Sequence, residues 1–544
     1  MEDLRAGLKP AIELRSSLAR TRKEIRSGML TMKTSLFILL ILALSVRAIT
    51  LAPQTDLRSS DVAKSAHKPG EIIIEKATIT THNGQTIRFD LGTLFVPENR
   101  RDAKSRIIGV GFARVPALRP TNAPPTFHLP GGPGGSFLDG LKPGDNGKKS
   151  LSAYIEYYRS IADVVFVDQR GASERGDVLK SKYQTEYPLD RPMTIEQDVS
   201  AFTSFSKQAV AEYARRGFDL RGYDVKECAE DVDDLRKALG YRQITLIGQS
   251  FGSQWSFAVM RLHPEIVARA LLSGVEPLDC GYDMPSHVFA AVRRMWYEAE
   301  KDPHFKPYLP PGGFMEVARE VVQRLDRRPL RVTVKNAKTN ALTTVMLGAE
   351  DLRRMFLAEL KGPALLLSLY YEHYEEWAQS VIDARSRHET DELIIGPLID
   401  TSLGVSSRRA YLLETDPATE FLGEWDFKSY METEDVWPTT DVGDEFRQEV
   451  VNQIPVVFVE GDWDTSTPIE NTLSVAPFFR NGHVLIVEHG RHSAMKKIED
   501  SPEIFKALLE FVRTGVADKV PNRISLPVPM FDPPTFAAPR SAQE

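Results

Sequence analysis

Between residues 126 and 273 the chain repeats one rhythm. Short apolar, β-rich runs are separated by stretches with helical patterning: Phe127-His128-Leu129, Val164–Val167, Ile244–Ile247 and Ala270-Leu271-Leu272. The rhythm returns near the C-terminus with Val456–Val459 and Val484–Val487. Runs that are apolar without alternation suit strands buried on both faces of a parallel sheet. Upstream, Ile72 to Val96 predicts a hairpin turning at Asn83-Gly84, and Ile107 to Ala113 a further strand. One helix is well marked. Asp224 is placed to cap it, Glu227 three residues on completes a capping-box pattern, and Val225, Cys228, Val232, Leu235 and Leu239 follow at helical spacing to Gly240. Val225 to Gly252 thus reads as helix, strand and sharp turn, a crossover unit.

The rhythm stops between Asp279 and Val450. Helical patterns cover His287–Lys301, Phe314–Leu325, Glu350–Leu360 and Ala364–Ala384, with a small hairpin over Arg331–Leu347 and many aromatics, among them Tyr370, Tyr371, Tyr374 and Trp377. This stretch predicts an inserted cap. The chain divides into an N-terminal extension with a signal peptide (1–48), the first part of an α/β core (49–279), the helical insertion (280–450), the second part of the core (451–516) and a Pro-rich tail (517–544) laid on the surface.

Composition adds limits. With 544 residues, 42% hydrophobic and 26% charged, the chain has ample material for a core, and its net charge of -7 offers no footprint for nucleic acid. Leu36–Val46 is an apolar run of eleven residues behind Lys33, ending in Val46-Arg47-Ala48. A basic flank, a short apolar centre and small residues at a cleavage site predict a secretory signal peptide over Met32–Ala48. A spanning helix needs about 20 apolar residues, so stable membrane insertion after signal removal is not expected; an uncleaved anchor is the alternative. The residues before Met32 are basic and unpatterned, and the signal is complete without them. Cys228 and Cys280 are the two cysteines, and their spacing does not show whether they pair. No CxxC, HExxH or Walker loop occurs, so neither a metal nor a cofactor is expected.

The candidate chemistry starts at Gly248-Gln249-Ser250-Phe251-Gly252. A serine on a tight strand-to-helix turn presents its hydroxyl, and only small neighbours fit beside it. Such a hydroxyl needs a base, and in this arrangement an acid and then a histidine follow, each just after a strand. The first later strand runs into Glu460-Gly461-Asp462-Trp463-Asp464, offering three acids. The second runs into Glu488-His489-Gly490-Arg491-His492; His492 lies further out on its loop, while His489 at the strand end suits a backbone hydrogen bond. Oxyanion donors are expected from the Phe251 N–H and from the loop Leu129-Pro130-Gly131-Gly132-Pro133-Gly134-Gly135, where glycines let backbone approach a reacting carbonyl.

Together, Gly131–Gly135, Asp168-Gln169-Arg170-Gly171, Gly248–Gly252, Gly461–Asp464 with Thr467-Pro468, and Gly490-Arg491-His492 resemble the prolyl aminopeptidase and tripeptidyl aminopeptidase family of α/β-hydrolases. The resemblance spans residues 126–493 in the family's order. It implies the α/β-hydrolase fold, a mostly parallel sheet with a helical cap. It implies Ser250 as nucleophile, Asp464 as the acid, His492 as the base, and Gly132 with Phe251 as oxyanion donors. It gives Asp168 and Arg170 a bracing role near the site. Pro130 stands where the family often has histidine or asparagine. Candidates for holding a substrate's free amine in the cap are Glu276, Asp279, Glu372, Glu375 and Glu376. The expected activity is that of a secreted serine exopeptidase acting near free N-termini on peptides. An esterase taking small esters with the same residues, and a non-catalytic binder on the same scaffold, are the alternatives.

Overall fold

The computed structural model describes residues 67–539, apart from 82–83, 142–147, 186, 357–358, 387–391, 426 and 499–500. The expected signal peptide, and the Asn83 of the first turn, lie outside the described residues.

Ten strands form one sheet: β1 (Ile72–Thr80), β2 (Thr86–Pro97), β3 (Ile107–Val115), β4 (Thr126–Leu129), β5 (Val164–Val167), β6 (Ile244–Gln249), β7 (Val267–Ser273), β8 (Val456–Gly461), β9 (Gly482–Glu488) and β10 (Arg523–Ser525). The order across it is β1-β2-β3-β5-β4-β6-β7-β8-β9-β10. Pairings from β1 to β3 and between β3 and β5 are antiparallel; all pairings from β5 to β10 are parallel. Strands β4, β5 and β8 are buried along their whole length, which is why they read as unbroken apolar runs. Helices α1 (Lys148–Arg159), α2 (Ile195–Arg215), α3 (Val225–Ala238) and α4 (Phe251–Leu262) connect the central strands.

The Asp224 carboxylate accepts the Glu227 N–H at 2.9 Å and caps α3 as expected. The capping box is not closed. Glu227 instead accepts from the Arg100 N–H at 2.9 Å and from its guanidinium at 2.6 Å, because an unpaired buried carboxylate is costly and Arg100 supplies the stronger donors.

The segment between β7 and β8 is mainly helical, with a hairpin over Leu330–Lys335 and Leu342–Leu347. It holds α5 (Pro285–Ala299), α6 (Gly313–Arg327), α7 (Ala349–Met355), α8 (Gly362–Tyr370), α9 (Glu375–Arg385) and α10 (Ile395–Leu403). The helix expected over Ala364–Ala384 is two, α8 and α9, separated where Glu372 turns left-handed (φ +65°). By packing the segment is double. Helices α5 to α9 share a hydrophobic cluster of their own, whereas Ile395, Leu398 and Leu403 of α10, with Trp437 and Phe446, join the core beneath the sheet.

The tail is more than a surface wrap. Residues 523–525 add β10 to the sheet edge beside β9, and Phe531 is buried among Phe305, Trp463 and the α5–α9 cluster. Further on, the Phe536 ring packs on Tyr308 and Tyr371. Prolines exclude regular pairing over most of this stretch but not apolar anchoring.

Candidate active site

The carboxyl ends of β4, β6, β7, β8 and β9 point to one edge of the sheet, where loops in open α/β folds gather their chemistry. Ser250 follows β6 directly and precedes α4. Its backbone is left-handed (φ +57°, ψ -133°), and its N–H donates to the carbonyls of Ser273 and Gly274, both at 3.0 Å. A Cβ on Gly248 would lie 2.3 Å from the Gly252 carbonyl oxygen, and one on Gly252 would lie 2.2 Å from that of Leu129. Side chains at either position are therefore excluded, and the turn is held tight.

On the loop after β8, Asp464 is fully buried. Its Oδ1 accepts the N–H groups of Ser466 (2.8 Å) and Thr467 (2.9 Å), and its Oδ2 accepts the Thr467 hydroxyl (2.8 Å). His492 Nδ1 stands 2.8 Å from the same Oδ2 and 3.1 Å from Thr467 Oγ1. Burial disfavours the charged imidazole, but the Asp464 hydrogen bond and charge, with Glu359 adding to them, prevail, and the proton affinity of His492 lies above that of a free histidine. With Nδ1 committed to Asp464, Nε2 is the nitrogen left to meet a serine.

The histidine and serine loops converge on Gly274. Ser250 donates to its carbonyl, and a Cβ there would lie 2.9 Å from His492 Cε1 and 3.1 Å from Thr467 Oγ1. The Gln249 amide adds a 2.9 Å bond to the His492 carbonyl. On the other side, a Cβ on Gly131 would lie 3.7 Å from Ser250 Oγ, so the glycine loop after β4 runs against the hydroxyl. Gly132 (φ +131°) and Gly134 (φ +98°) adopt backbone closed to other residues. Phe251 is the first residue of α4, where N–H groups have no partner within the helix.

Asp168 and Gln169 hold this loop from the end of β5. Gln169 Oε1 accepts the Gly134 N–H at 2.7 Å, and Asp168 accepts the Ser136 hydroxyl at 2.8 Å and the Phe137 N–H at 3.1 Å. Burial outweighs these donors and pushes the Asp168 pKa up to about 6. Arg170, fully buried, makes a bidentate pair with Asp231 and donates to the carbonyls of Glu98 and Gly222. Below the loop, burial drives His128 down to about 3, a neutral ring bonded to Tyr154 and Thr126.

Of the other acids on the β8 loop, Glu460 accepts from Val275 N–H and Thr472 Oγ1, while Asp462 accepts the His489 N–H at 2.7 Å. Burial, then the charge of Asp464, raises the Glu460 pKa well above the usual range. His489 sits 2.7 Å from the Leu526 carbonyl, facing the tail. Both cysteines are buried free thiols. Among the cap acids, Asp279 is taken by Ser406 (2.6 and 2.8 Å), and Glu372, Glu375 and Glu376 are exposed on the surface around α9. Glu276 is half-buried, its N–H accepted by Ser253 Oγ. The resemblance includes Thr467 in its motif but gives it no role, and it does not include Glu359. Thr467 carries a readable signal, a hydroxyl beside a proline three residues after Asp464; Glu359, more than a hundred residues away in the cap, carries none.

Among the described residues no helix is long and apolar enough to cross a membrane. Residues 158–309 match the family model described as alpha/beta hydrolase fold, and residues 425–522 match the one described as TAP-like protein. No curated protein matches the chain. Similar solved structures include a thermophilic esterase from Thermogutta terrifontis, 14% identical, with 81% of this chain and 100% of that chain covered at a TM-score of 0.31. An alpha/beta hydrolase fold protein from Nakamurella multipartita is also 14% identical, with 81% and 100% covered at 0.30. A hydrolase from Pseudomonas aeruginosa is 14% identical, with 77% and 98% covered at 0.32. The chain has the α/β-hydrolase fold, and its C-terminal part matches the TAP-like model.

Proposed function

We propose that the protein is an exported serine exopeptidase that cleaves peptides near their free N-termini through a Ser250-His492-Asp464 triad. The observation that carries the proposal is the 2.8 Å contact of His492 Nδ1 with a buried Asp464, on a loop that meets the Ser250 turn at Gly274. The TAP-like match over residues 425–522 supports the peptidase class.

In this reading Ser250 Oγ attacks the scissile carbonyl carbon while its proton passes to His492 Nε2. The carbonyl oxygen becomes an oxyanion held by the Gly132 and Phe251 N–H groups. Asp464 holds the tautomer and steadies the imidazolium. The imidazolium then gives its proton to the leaving amine, the C–N bond breaks, and the acyl group stays on Ser250. Water, deprotonated by His492, attacks the ester; collapse frees the carboxylic acid and restores the serine. Export rests on the signal pattern over Met32–Ala48; a mature chain starting at Ile49 is expected from N-terminal sequencing.

The test is a panel of N-terminally free and blocked peptidyl amides beside acetyl and butyryl esters. Preference for free N-termini supports the proposal, and activity confined to simple esters replaces it with an esterase. A fluorophosphonate probe separates both from a non-catalytic binder: it labels the wild type and not Ser250→Ala, whereas a binder takes no label in either.

A further inference from the structure

The histidine loop meets the cap at a charged contact. Arg491, next to His492, donates through Nη1 to Glu359 Oε2. Glu359 opens the short turn Glu359–Lys361 between α7 and α8, and its backbone is left-handed, φ +42°. A residue with a bulky side chain keeps that conformation only where its surroundings enforce it, and such residues concentrate at functional sites. The tail grips the same turn, with the Asp532 N–H 3.4 Å from the Leu360 carbonyl.

Glu359 also borders a cavity of about 500 Å³ that Thr465 and Ser466 of the Asp464 loop line from the core side. The other charges at its wall have partners. Arg353 pairs with Glu350 and Asp326, Arg354 with Asp198 and the Trp425 ring, and Asp283 accepts from Asn471. Glu359 and Arg491 have side chains 32% and 31% exposed, so their charges are only partly screened at the site's rim.

We infer that Glu359, acting through Arg491, is a positioning residue: the ion pair between them holds the histidine loop, and with it His492, against the cap. The inference rests on His492 being the base of the proposed function. The charges around His492 are Asp464 on the β8 loop and Glu359 on the cap, with Arg491 its neighbour in sequence and Glu460 beyond Asp464. Glu359 lies close enough to favour the imidazolium. Removing its charge takes away an anion and leaves the Arg491 cation unopposed, and both changes make His492 release its proton more easily. Removing Arg491 frees the anion and does the reverse. The two halves of the pair therefore act with opposite signs, which a purely structural contact would not produce.

The experiment titrates the histidine rings of the full chain by NMR, with His492→Ala identifying the resonance. The His492 midpoint is expected to fall in Glu359→Gln and to rise in Arg491→Gln. Glu359→Asp restores the wild-type value. The acid limb of kcat/KM moves with the midpoint in each variant. No movement in either variant, or movement of both in one direction, overturns the inference. If the midpoints move as expected but His492→Ala hydrolyses the substrate panel as fast as wild type, the assignment of His492 as base fails, and the positioning role with it. The ring titration needs no turnover, so the two failures are distinguishable.

Discussion

At the scale of single residues, the site depends on how many donors converge on Asp464. Three come from its own loop and one from His492. A carboxylate so supplied fixes the imidazole in one tautomer before any substrate arrives. Thr467 is fully buried, its hydroxyl on the Asp464 side of the imidazole. Thr467→Val is therefore expected to lower kcat with KM unchanged, and to cost about 1.5–3 kcal/mol of stability in urea unfolding, the worth of a hydrogen bond to a charged group. The raised proton affinity of His492 has a pH consequence. As the proposed base, His492 must be neutral to take the serine proton, and it gains its own proton at a higher pH than a free histidine. Activity should thus fall as the pH drops through a midpoint above about 6.5, the ordinary histidine value. A kcat/KM profile in salt-matched buffers reads this limb.

At the scale of elements, what could be read from the sequence follows burial. Strands β4, β5 and β8 are enclosed on both faces, so their apolar runs stand out, and the order of the glycine loop, Ser250, the β8 acids and His492 follows from them. Helix α2 carries its own sequence signal: Thr194 accepts from Gln197 N–H as a cap, and Phe202, Phe205, Ala209 and Tyr213 form a buried stripe. Strand β10 had almost none. It is three residues long, mostly exposed and set among prolines, so neither length nor alternation marks it. The grip of Glu359 on Arg491 is equally silent in sequence, because it joins segments that only the folded cap brings together. Phe531 anchors the tail at 4% exposure among Phe305, Trp463 and neighbouring cap residues. Phe531→Ala should cost about 3–5 kcal/mol, measured by chemical denaturation, with the loss of a buried aromatic as its cause.

At the scale of the whole molecule, Arg170 ties distant parts together. Its guanidinium joins the end of β2 at Glu98, the turn at Gly222 and Asp231 of α3, and Arg100 reaches the same Asp231. The adjacent Gln169 and Asp168 hold the glycine loop. Arg170→Ala leaves Asp231 with Arg100 alone and takes the guanidinium donors from two carbonyls, and should destabilise the protein by about 1–3 kcal/mol or more in guanidinium unfolding, the cost of a buried polar group left without its donor. Arg170→Lys is expected to recover only part of this, since an ammonium cannot reproduce the planar fork.

The tail has a temporal meaning as well. Residues 523–536 leave the ribosome after every other element described, yet they supply the last strand of the sheet, the carbonyl that receives His489, and the contacts that fasten the cap turn carrying Glu359. A nascent chain can assemble the serine, acid and histidine loops before these contacts exist. Fastening of the cap turn thus waits on residues that come after the histidine loop in the chain, so the loops of the site can meet before the cap above them is secured.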